Sequence, residues 1–160
     1  MRDRVIHTCC FIGHRTIAET EALRREITET VERLITDENV DTFLFGSKSR
    51  FDSLCLELVS KLKAKYPHVK RIYVRAEFPH ITEEYRAYLL QSYDETVFPE
   101  LLHRAGRAVY VERNREMINN SRFCIFYYNA HHAPTTRKSG TKLALDYAIG
   151  RSKEIIVFPK

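Results

Sequence analysis

Four short segments of the sequence combine glycine, hydroxyl and cationic residues in a way that suits a phosphate-bearing ligand. They are Gly13-His14-Arg15, Gly46 to Asp52, Glu112 to Arg115, and Ser139-Gly140-Thr141. Glycine lets the backbone approach a ligand closely, hydroxyls and the N–H groups at a helix N-terminus donate hydrogen bonds, and arginine binds an anion through two parallel N–H groups. These segments therefore predict a site for a phosphate or a carboxylate.

The phosphate is expected to be held by Arg113 and by the Ser-Gly-Thr triplet, which directly precedes an amphipathic helical pattern. The first two segments are expected to line the rest of the site. The ligand-binding candidates are Gly13, His14, Arg15, Gly46, Ser47, Asp52, Arg113, Asn114, Ser139, Gly140 and Thr141.

Each of these features also has a structural alternative. Ser139 with its two neighbours is equally suited to be an ordinary helix cap. Arg113 and Arg115 at the start of a predicted helix oppose its dipole, so they need an anion, which is either a ligand or the neighbouring Glu112 in a solvated turn. Asp52 either caps the second helix, which is the default, or binds a ribose hydroxyl.

Three residues are candidates for catalysis. Glu77 follows the third predicted strand and is a candidate base, His14 titrates near neutrality and suits a general acid or donor, and Asp146 is a further acidic candidate. The pair His131-His132 lacks spaced Cys, Asp or Glu partners, so no metal site is predicted. Because GxGxxG and GKS or GKT motifs are absent, nicotinamide cofactors and P-loop hydrolysis are disfavoured, and no cofactor is required.

Composition limits the class of protein. A chain of 160 residues that is 44% hydrophobic can bury a core, and one domain over residues 1–160 is expected. The four cysteines form no CxxC pair and are expected to be free and buried, with Cys9 and Cys10 on opposite faces of a strand.

No run of about 18 apolar residues and no signal-peptide pattern occur, so the protein is predicted to be cytoplasmic without a membrane partner. A net charge of +5 makes an anionic partner plausible without distinguishing a nucleotide from a nucleic acid.

Hydrophobic periodicity predicts alternating strands and helices in the first half of the chain. The predicted elements are strand Val5–Ile12, helix Glu19–Ile35, strand Thr42–Phe45, a helix carrying Leu54 to Leu62 that ends before Pro67, and strand Val69–Ala76. This order predicts an α/β, Rossmann-like domain of three layers, in which a mostly parallel sheet has helices on both faces.

The second half continues the pattern less regularly. Its predicted elements are helix Thr82–Ser92, strand Ala108–Val111, helix Arg113–Asn120, strand Phe123–Tyr128, helix Thr141–Ile149 and strand Glu154–Phe158. Tyr93–Gly106 has no assignment beyond a brief helix that starts near Pro99, and Asn129–Lys138 is a polar loop. Ligands of open parallel sheets bind outside the carboxyl ends of the strands, where the four segments are expected to meet.

With these residues in view, the sequence resembles the SLOG superfamily, a Rossmann-like nucleotide-binding group that includes the DNA-processing protein DprA and the LOG-type cytokinin-activating hydrolases. It is most similar to the small bacterial YpsA-like members. The matching stretches are CCFIGHR, FLFGSKSRFD, KYPHVKRIYVRAEFP, ERNREMINNSRFCIFYY and SGTKLALDYA.

Two departures from the family pattern alter what the resemblance implies. Where relatives commonly read Gly-x-x-x-Gly-x-Asp, Gly46 and Asp52 are kept but Arg50 replaces the second glycine, which implies a narrower pocket with an added positive charge. The Arg-x-x-x-Met turn of LOG-type hydrolases is matched by Arg113 and Met117. Their acidic residue after the threonine is missing, since Thr141 is followed by Lys, Leu and Ala. The resemblance therefore implies ligand binding ahead of hydrolysis.

Three functions follow as hypotheses. The first is binding of a nucleotide or a nucleotide-derived ligand, for example as a sensor. The second is a LOG-like phosphoribohydrolase or N-glycosidic-bond hydrolase that uses Glu77 or Asp146, and the third is DprA-like binding of single-stranded DNA. The third is ranked lower because Tyr127 and Tyr128 are predicted to be core and strand-end residues, so no exposed aromatic ladder is expected. A homodimer is expected, with Tyr85–Phe98 as either its interface or a core packing edge.

Overall fold

The computed structural model describes residues 2–100, 106, 108–132 and 139–160 of the chain. Its helices are α1 (Arg2–Ile6), α2 (Glu21–Asp37), α3 (Arg50–Lys65), α4 (Glu83–Leu89), α5 (Ala108–Asn119) and α6 (Gly140–Gly150), with a short 3-10 helix at Ala130–His132. Its strands are β1 (Thr8–Gly13), β2 (Thr42–Phe45), β3 (Lys70–Val74), β4 (Glu95–Val97), β5 (Phe123–Tyr127) and β6 (Glu154–Phe158).

The six strands form one parallel sheet in the order β4-β3-β2-β1-β5-β6. The strand order reverses beside β1, because β2 pairs with one of its edges and β5 with the other. In the register of these pairs, Cys10 lies opposite both Leu44 and Cys124. The predicted α/β Rossmann-like architecture is confirmed, and the reversal places a crevice above the carboxyl ends of β1, β2 and β5.

The sheet has a hydrophobic core on each face. On one face α2 and α3 pack against the strands, and Phe11 stacks on Phe43 and Phe45 with ring centroids 5.9 and 5.0 Å apart. On the other face α5 and α6 cover a second cluster that includes Met117 and Phe126. Cys9 belongs to the first cluster and Cys10 to the second, as the sequence predicted, and all four cysteines are free and buried. The single domain over residues 1–160 stays a prediction.

Hydroxyl residues start four of the helices. Each caps the helix by accepting a hydrogen bond from the backbone N–H three residues further on, at 3.0 to 3.1 Å. The pairs are Thr20 with Leu23, Ser49 with Asp52, Thr82 with Tyr85, and Ser139 with Lys142. The capping alternative for Ser139 is therefore correct.

The first predicted strand begins too early. Val5 and Ile6 lie in α1 and not in a strand, because the turn is closed by hydrogen bonds to Arg4 O from His7 N and from the Thr8 hydroxyl. Pairing with β2 starts only at Thr8. An apolar run of this length cannot by itself distinguish a strand from a helical turn.

The predicted strand Ala108–Val111 is also wrong, since these residues form the first turn of α5. Val109, Arg113 and Met117 repeat every four residues and are buried on one side of the helix. The missing strand is β4, which lies inside the unassigned Tyr93–Gly106 segment and pairs with β3 at the edge of the sheet.

Two sequence-based expectations fall outside the described residues: the brief helix after Pro99 concerns residues 101–105, and most of the polar loop covers residues 133–138. Among the described helices, none is both long and apolar enough to cross a membrane.

Candidate ligand-binding site

A cavity of about 1040 Å³ opens at the carboxyl edge of the sheet. It is bordered by the loops after β1, β2 and β3, by one side of α5 and by the first turn of α6. All of the ligand-binding candidates from the sequence line it, namely Gly13, His14, Arg15, Gly46, Ser47, Asp52, Arg113, Asn114, Ser139, Gly140 and Thr141. Glu77 lines it as well, whereas Asp146 does not.

Arg113 reaches this cavity from inside a helix. The sequence placed Glu112 to Arg115 in a loop and at a helix start, but α5 begins at Ala108, so the expected conflict with the helix dipole does not arise. Arg113 is only 6% exposed, its Nη1 donates to the carbonyl of Gly46 and its Nε donates to Asn114 Oδ1 at 3.0 Å. The alternative of a solvated charged turn is therefore wrong for Arg113, although Arg115 is exposed and lies over the Tyr147 ring.

Gly46 has to be glycine because the Arg113 side chain lies on its backbone. A Cβ atom at position 46 would lie 2.6 Å from Met117 Sδ and 2.7 Å from Arg113 Cδ and Nε. Real Cβ atoms essentially never approach other atoms so closely. The contact between Gly46 and Arg113 therefore links the loop after β2 to the middle of α5.

The charge of Arg113 has no carboxylate partner within ion-pairing distance among the described residues. Burial lowers the pKa of Arg113, and the more distant Asp52, Tyr73 and Glu77 oppose that shift. Its hydrogen-bond acceptors are neutral oxygens, and its Nη2 has no acceptor in the described part of the chain. A buried cation with unused donors beside a cavity is suited to bind an anion.

Asp52 holds the loop after β2 in place. Its Oδ2 accepts hydrogen bonds from the backbone N–H groups of Gly46 and Ser47 at 3.2 and 3.0 Å, and its Oδ1 accepts one from Ser49 Oγ at 3.3 Å. Ser49 Oγ in turn accepts from Asp52 N, so Ser49 is the N-cap of α3 and the default expectation that Asp52 caps this helix is wrong. The side chain is 2% exposed, and burial raises its pKa to about 6 against the opposing effect of these N–H groups and of Arg113.

The first turn of α6 offers backbone donors to the cavity. With Ser139 as N-cap, the N–H groups of Gly140 and Thr141 have no partner within the helix by geometry. A Cβ atom added at Gly140 would meet nothing within 4 Å, so the backbone there is open. Thr141 is buried and lines the same wall. The triplet is thus both a helix cap and a source of donors.

His14 has a structural contact that restricts its chemistry. Its Nε2 accepts a hydrogen bond from the backbone N–H of Asn129 at 3.0 Å, and its ring lies 5.4 Å from that of Tyr128. In the neutral ring the proton therefore sits on Nδ1, which leaves that atom as the donor in any acid role. The neighbouring Arg15 is exposed at the mouth of the cavity.

Arg50 does not alter the cavity in the way that the sequence implied. Its side chain pairs with Glu19, with Nη2 and Oε1 2.6 Å apart, and it does not line the cavity. The expected narrower pocket with an added positive charge is therefore wrong. The backbone N–H of Arg50 instead donates to Arg15 O at 2.9 Å and joins the first two loops.

The acidic candidates differ in position. Asp146 lies one turn along α6 and pairs with Lys142 at 2.9 Å. Glu77 is exposed on the cavity wall and makes no hydrogen bond or ion pair with the described residues. In the described ranges, His, Cys, Asp and Glu form no group of three or more that could hold a metal ion.

Sequence reasoning missed Arg75, which is buried beside the cavity. It donates from Nε to Phe78 O at 2.9 Å, from Nη2 to Pro79 O at 3.4 Å and from Nη1 to Thr96 Oγ1 at 2.9 Å. These bonds hold the loop between β3 and α4 against β4. Arg75 lies inside the predicted strand Val69–Ala76, and nothing in the sequence indicated this role, because its partners are backbone carbonyls and a residue of the missed strand.

Sequence reasoning also missed a row of three aromatic rings, in which the two end rings are exposed and the middle one, Tyr85, is half-buried against the core. Phe78, Tyr85 and Tyr88 follow one another with centroids 6.4 and 6.2 Å apart, and we call them the aromatic row. Phe78 and Tyr85 line the cavity, while Tyr88 continues the row outside it under the ammonium of Lys48, which is 5.2 Å from the ring centroid. Phe78 is 52% and Tyr88 55% exposed. Tyr127 is buried as predicted, but the expectation that no exposed aromatic ladder exists is wrong.

Comparison with known proteins gives a structural likeness. No protein-family model matches the chain, and no curated protein matches it in sequence. Among solved structures it is similar to DNA processing protein A from Helicobacter pylori, which is described by its single-stranded DNA binding mode. The TM-score is 0.62 at 17% sequence identity, and the alignment covers 98% of this chain.

The chain spans 66% of the length of that protein. At this identity the likeness shows the fold alone. It shows an α/β Rossmann-like fold, while membership of the SLOG superfamily and the closer relation to YpsA-like proteins stay predictions.

Proposed function

We propose that the protein binds single-stranded nucleic acid at the carboxyl edge of its sheet. The observation that carries this proposal is the aromatic row, which runs from the wall of a cationic cavity out onto the surface. Bases of a single strand stack on such rings, and cationic side chains follow the phosphates. Lys48 beside Tyr88 supplies a cation at the outer end of the row.

The inner end of the site suits a phosphate group. Arg113 presents a guanidinium nitrogen that has no acceptor among the described residues, and the first turn of α6 presents the N–H groups of Gly140 and Thr141. One nucleotide of the strand would place its phosphate here and its base toward Phe78. The next nucleotides would follow the row past Tyr85 to Tyr88.

Two further points support a strand as the ligand. The cavity volume of about 1040 Å³ lies at the upper end of the range for small-molecule pockets, so a single nucleotide would leave part of it unfilled. The solved protein with a similar fold is described as a binder of single-stranded DNA.

A free nucleotide or nucleotide derivative is the second candidate. Arg113, Gly140 and Thr141 would hold one phosphate whether or not it belongs to a longer chain. A hydrolase is less well supported, because Asp146 is paired with Lys142 and away from the cavity. Of the two acidic residues proposed for such chemistry, Glu77 is the one that lines the cavity.

The test is fluorescence anisotropy with labelled thymidine oligonucleotides of about twelve nucleotides. Stacking on an aromatic side chain contributes about 1 to 3 kcal/mol per base, so Tyr88→Ala should weaken binding roughly 5- to 150-fold. Tyr88 is more than half exposed, so its replacement should leave the melting temperature unchanged. Leu90→Ala, an exposed apolar change on the other side of the same helix end, is the matched control and should bind normally.

Equal affinities of the parent and Tyr88→Ala would refute the role of the aromatic row. Competition with mononucleotides separates the two candidates. If mononucleotides displace the labelled strand at concentrations near its own Kd, the free nucleotide is the better ligand. The affinity for the strand should also fall steeply with salt, because phosphate contacts release counterions.

A further inference from the structure

We infer that Glu77 reads the base of the bound nucleotide and selects guanine. This inference rests on the proposed function and names which single strands the site prefers. It is carried by a carboxylate that has no hydrogen-bond or ion-pair partner among the described residues. This carboxylate lies on a loop held by Arg75 and beside the Phe78 ring, in a cavity that is otherwise suited to anions.

The loop that carries Glu77 is held on both sides of it. Arg75, two residues before Glu77, donates from its guanidinium to the carbonyls of Phe78 and Pro79 and to Thr96 of β4. The position of the Glu77 backbone is therefore set by a buried side chain and by the sheet edge. A recognition group that is held in place before binding loses little conformational entropy when it binds.

The carboxylate of Glu77 is free to accept hydrogen bonds. The cavity has a second described carboxylate, Asp52, but both of its oxygens accept hydrogen bonds from the loop after β2. Glu77 makes none with the described residues. It lies near enough to Arg113 to oppose the lowering of the Arg113 pKa by burial, but it forms no ion pair with that side chain.

The negatively charged Glu77 carboxylate repels a phosphate. It can instead accept hydrogen bonds from a part of the ligand that carries N–H groups. The neighbouring Phe78 ring is 52% exposed on the same wall, so a base stacked on it would lie next to the carboxylate. In a single strand the Watson–Crick edge of that base is unpaired and can be read.

The four bases differ in what they offer there. Guanine presents two adjacent donors, N1–H and the N2 amino group, which match the two oxygens of a carboxylate. Adenine and cytosine present one amino group next to a ring nitrogen that repels the second oxygen. Thymine presents one N–H between two carbonyl oxygens. The expected order of preference is guanine first and thymine last.

The test uses four thymidine oligonucleotides of about twelve nucleotides, in which the central position is dG, dC, dA or dT. For the parent protein, anisotropy should give about tenfold tighter binding to the dG strand than to the dT strand, as for a bidentate contact to a base. Glu77→Gln keeps the size but replaces one acceptor by a donor, and it should abolish this preference. The residue is exposed, so the melting temperature should not change.

Glu84→Gln is the matched control, because it removes the same charge from an exposed position outside the cavity. It should raise the affinity for all four strands slightly and equally. Equal binding of all four strands by the parent, or an unchanged preference in Glu77→Gln, would overturn the inference while leaving the proposed function intact. Failure of all four strands to bind would refute the proposed function itself.

Discussion

Replacing Gly46 by alanine should damage the fold and the site together. The added methyl group would lie 2.6 Å from Met117 Sδ and 2.7 Å from Arg113 Cδ and Nε, so the arginine must move. That movement also breaks the hydrogen bond from Arg113 Nη1 to Gly46 O. Arg113 would then be a buried cation without its main-chain acceptor.

The size of the effect follows from these two costs. Forcing extra atoms into a packed interior costs about 1 to 3 kcal/mol, and a lost hydrogen bond from a buried charged group costs a similar amount. Because the same displacement causes both, we expect a combined loss of about 2 to 4 kcal/mol. For a chain of this length, that corresponds to a fall in melting temperature of roughly 4 to 16 °C.

Gly140→Ala is the matched substitution in the same cavity. Its added Cβ atom would meet nothing within 4 Å, and the residue opens α6 without a positive φ angle. Alanine in place of a helical glycine stabilises by up to about 1 kcal/mol. Ligand binding should still weaken, since the methyl group occupies space next to the N–H groups that face the phosphate.

Differential scanning calorimetry and anisotropy on both variants separate the two effects. Gly46→Ala should lose stability and affinity, whereas Gly140→Ala should lose affinity only. A Gly46→Ala protein that melts like the parent would show that Arg113 does not lie on the Gly46 backbone. Unchanged affinity in Gly140→Ala would show that the first turn of α6 is not at the phosphate.

Two further predictions concern pH and catalysis. Folding raises the pKa of Asp52 from 3.8 to about 6. Between pH 3.8 and pH 6 the Asp52 carboxyl is therefore protonated to a greater extent in the folded state than in the unfolded state. Its contribution to stability is complete below pH 3.8 and is lost, by about 3 kcal/mol, as the pH rises through 6. Asp52→Asn should remove this dependence in urea unfolding measured across that range, and an identical dependence in the variant would exclude Asp52 as its source. Incubation with nucleoside monophosphates should release no free base, because no acidic residue directly follows Thr141 and Asp146 pairs with Lys142. Turnover that Arg113→Ala abolishes would establish a hydrolase instead.

The fold could be predicted because its signals are local. Continuous apolar runs at β1, β2 and β5, alternating with helical spacing, are typical of a parallel sheet covered on both faces. The elements that were assigned wrongly are those with a short hydrophobic pattern. Ala108–Val111 is apolar because α5 buries Val109, and β4 has only three residues, one of them the buried Thr96.

The residues that line the cavity could be predicted for a different reason. In a parallel sheet all strands end at the same edge, so the loops after β1 and β2 and the start of α6 must meet there. The direction of individual side chains was not predictable. Arg50 turns to Glu19 on the outside, while Arg75 turns inward to carbonyl oxygens. Both choices depend on residues that are distant in sequence or on a strand that the sequence did not reveal.

The aromatic row was missed because its spacing resembles that of a core. Tyr85 and Tyr88 lie three residues apart on α4, as core residues of an amphipathic helix do. Yet Leu89 is the buried residue of this short helix. Tyr85 also packs against the core, whereas Tyr88 is exposed, a difference that depends on where the helix lies and not on its pattern. The predicted homodimer, for which this region was a candidate interface, stays a prediction.

Arg113 lines the cavity as expected, but the reason given for its role was incorrect. The sequence placed it at a helix N-terminus, where the dipole would demand an anion, but it lies in the second turn of α5. Its need for an anion comes instead from burial against the neutral carbonyl of Gly46, which is 67 residues away in the chain. A helix dipole affects any charged residue in the first turn of the helix. The hydrogen bond to Gly46 O, in contrast, is specific to the guanidinium of Arg113. Replacing Gly46 is therefore the sharper test of the site, because it displaces the cation without removing its charge.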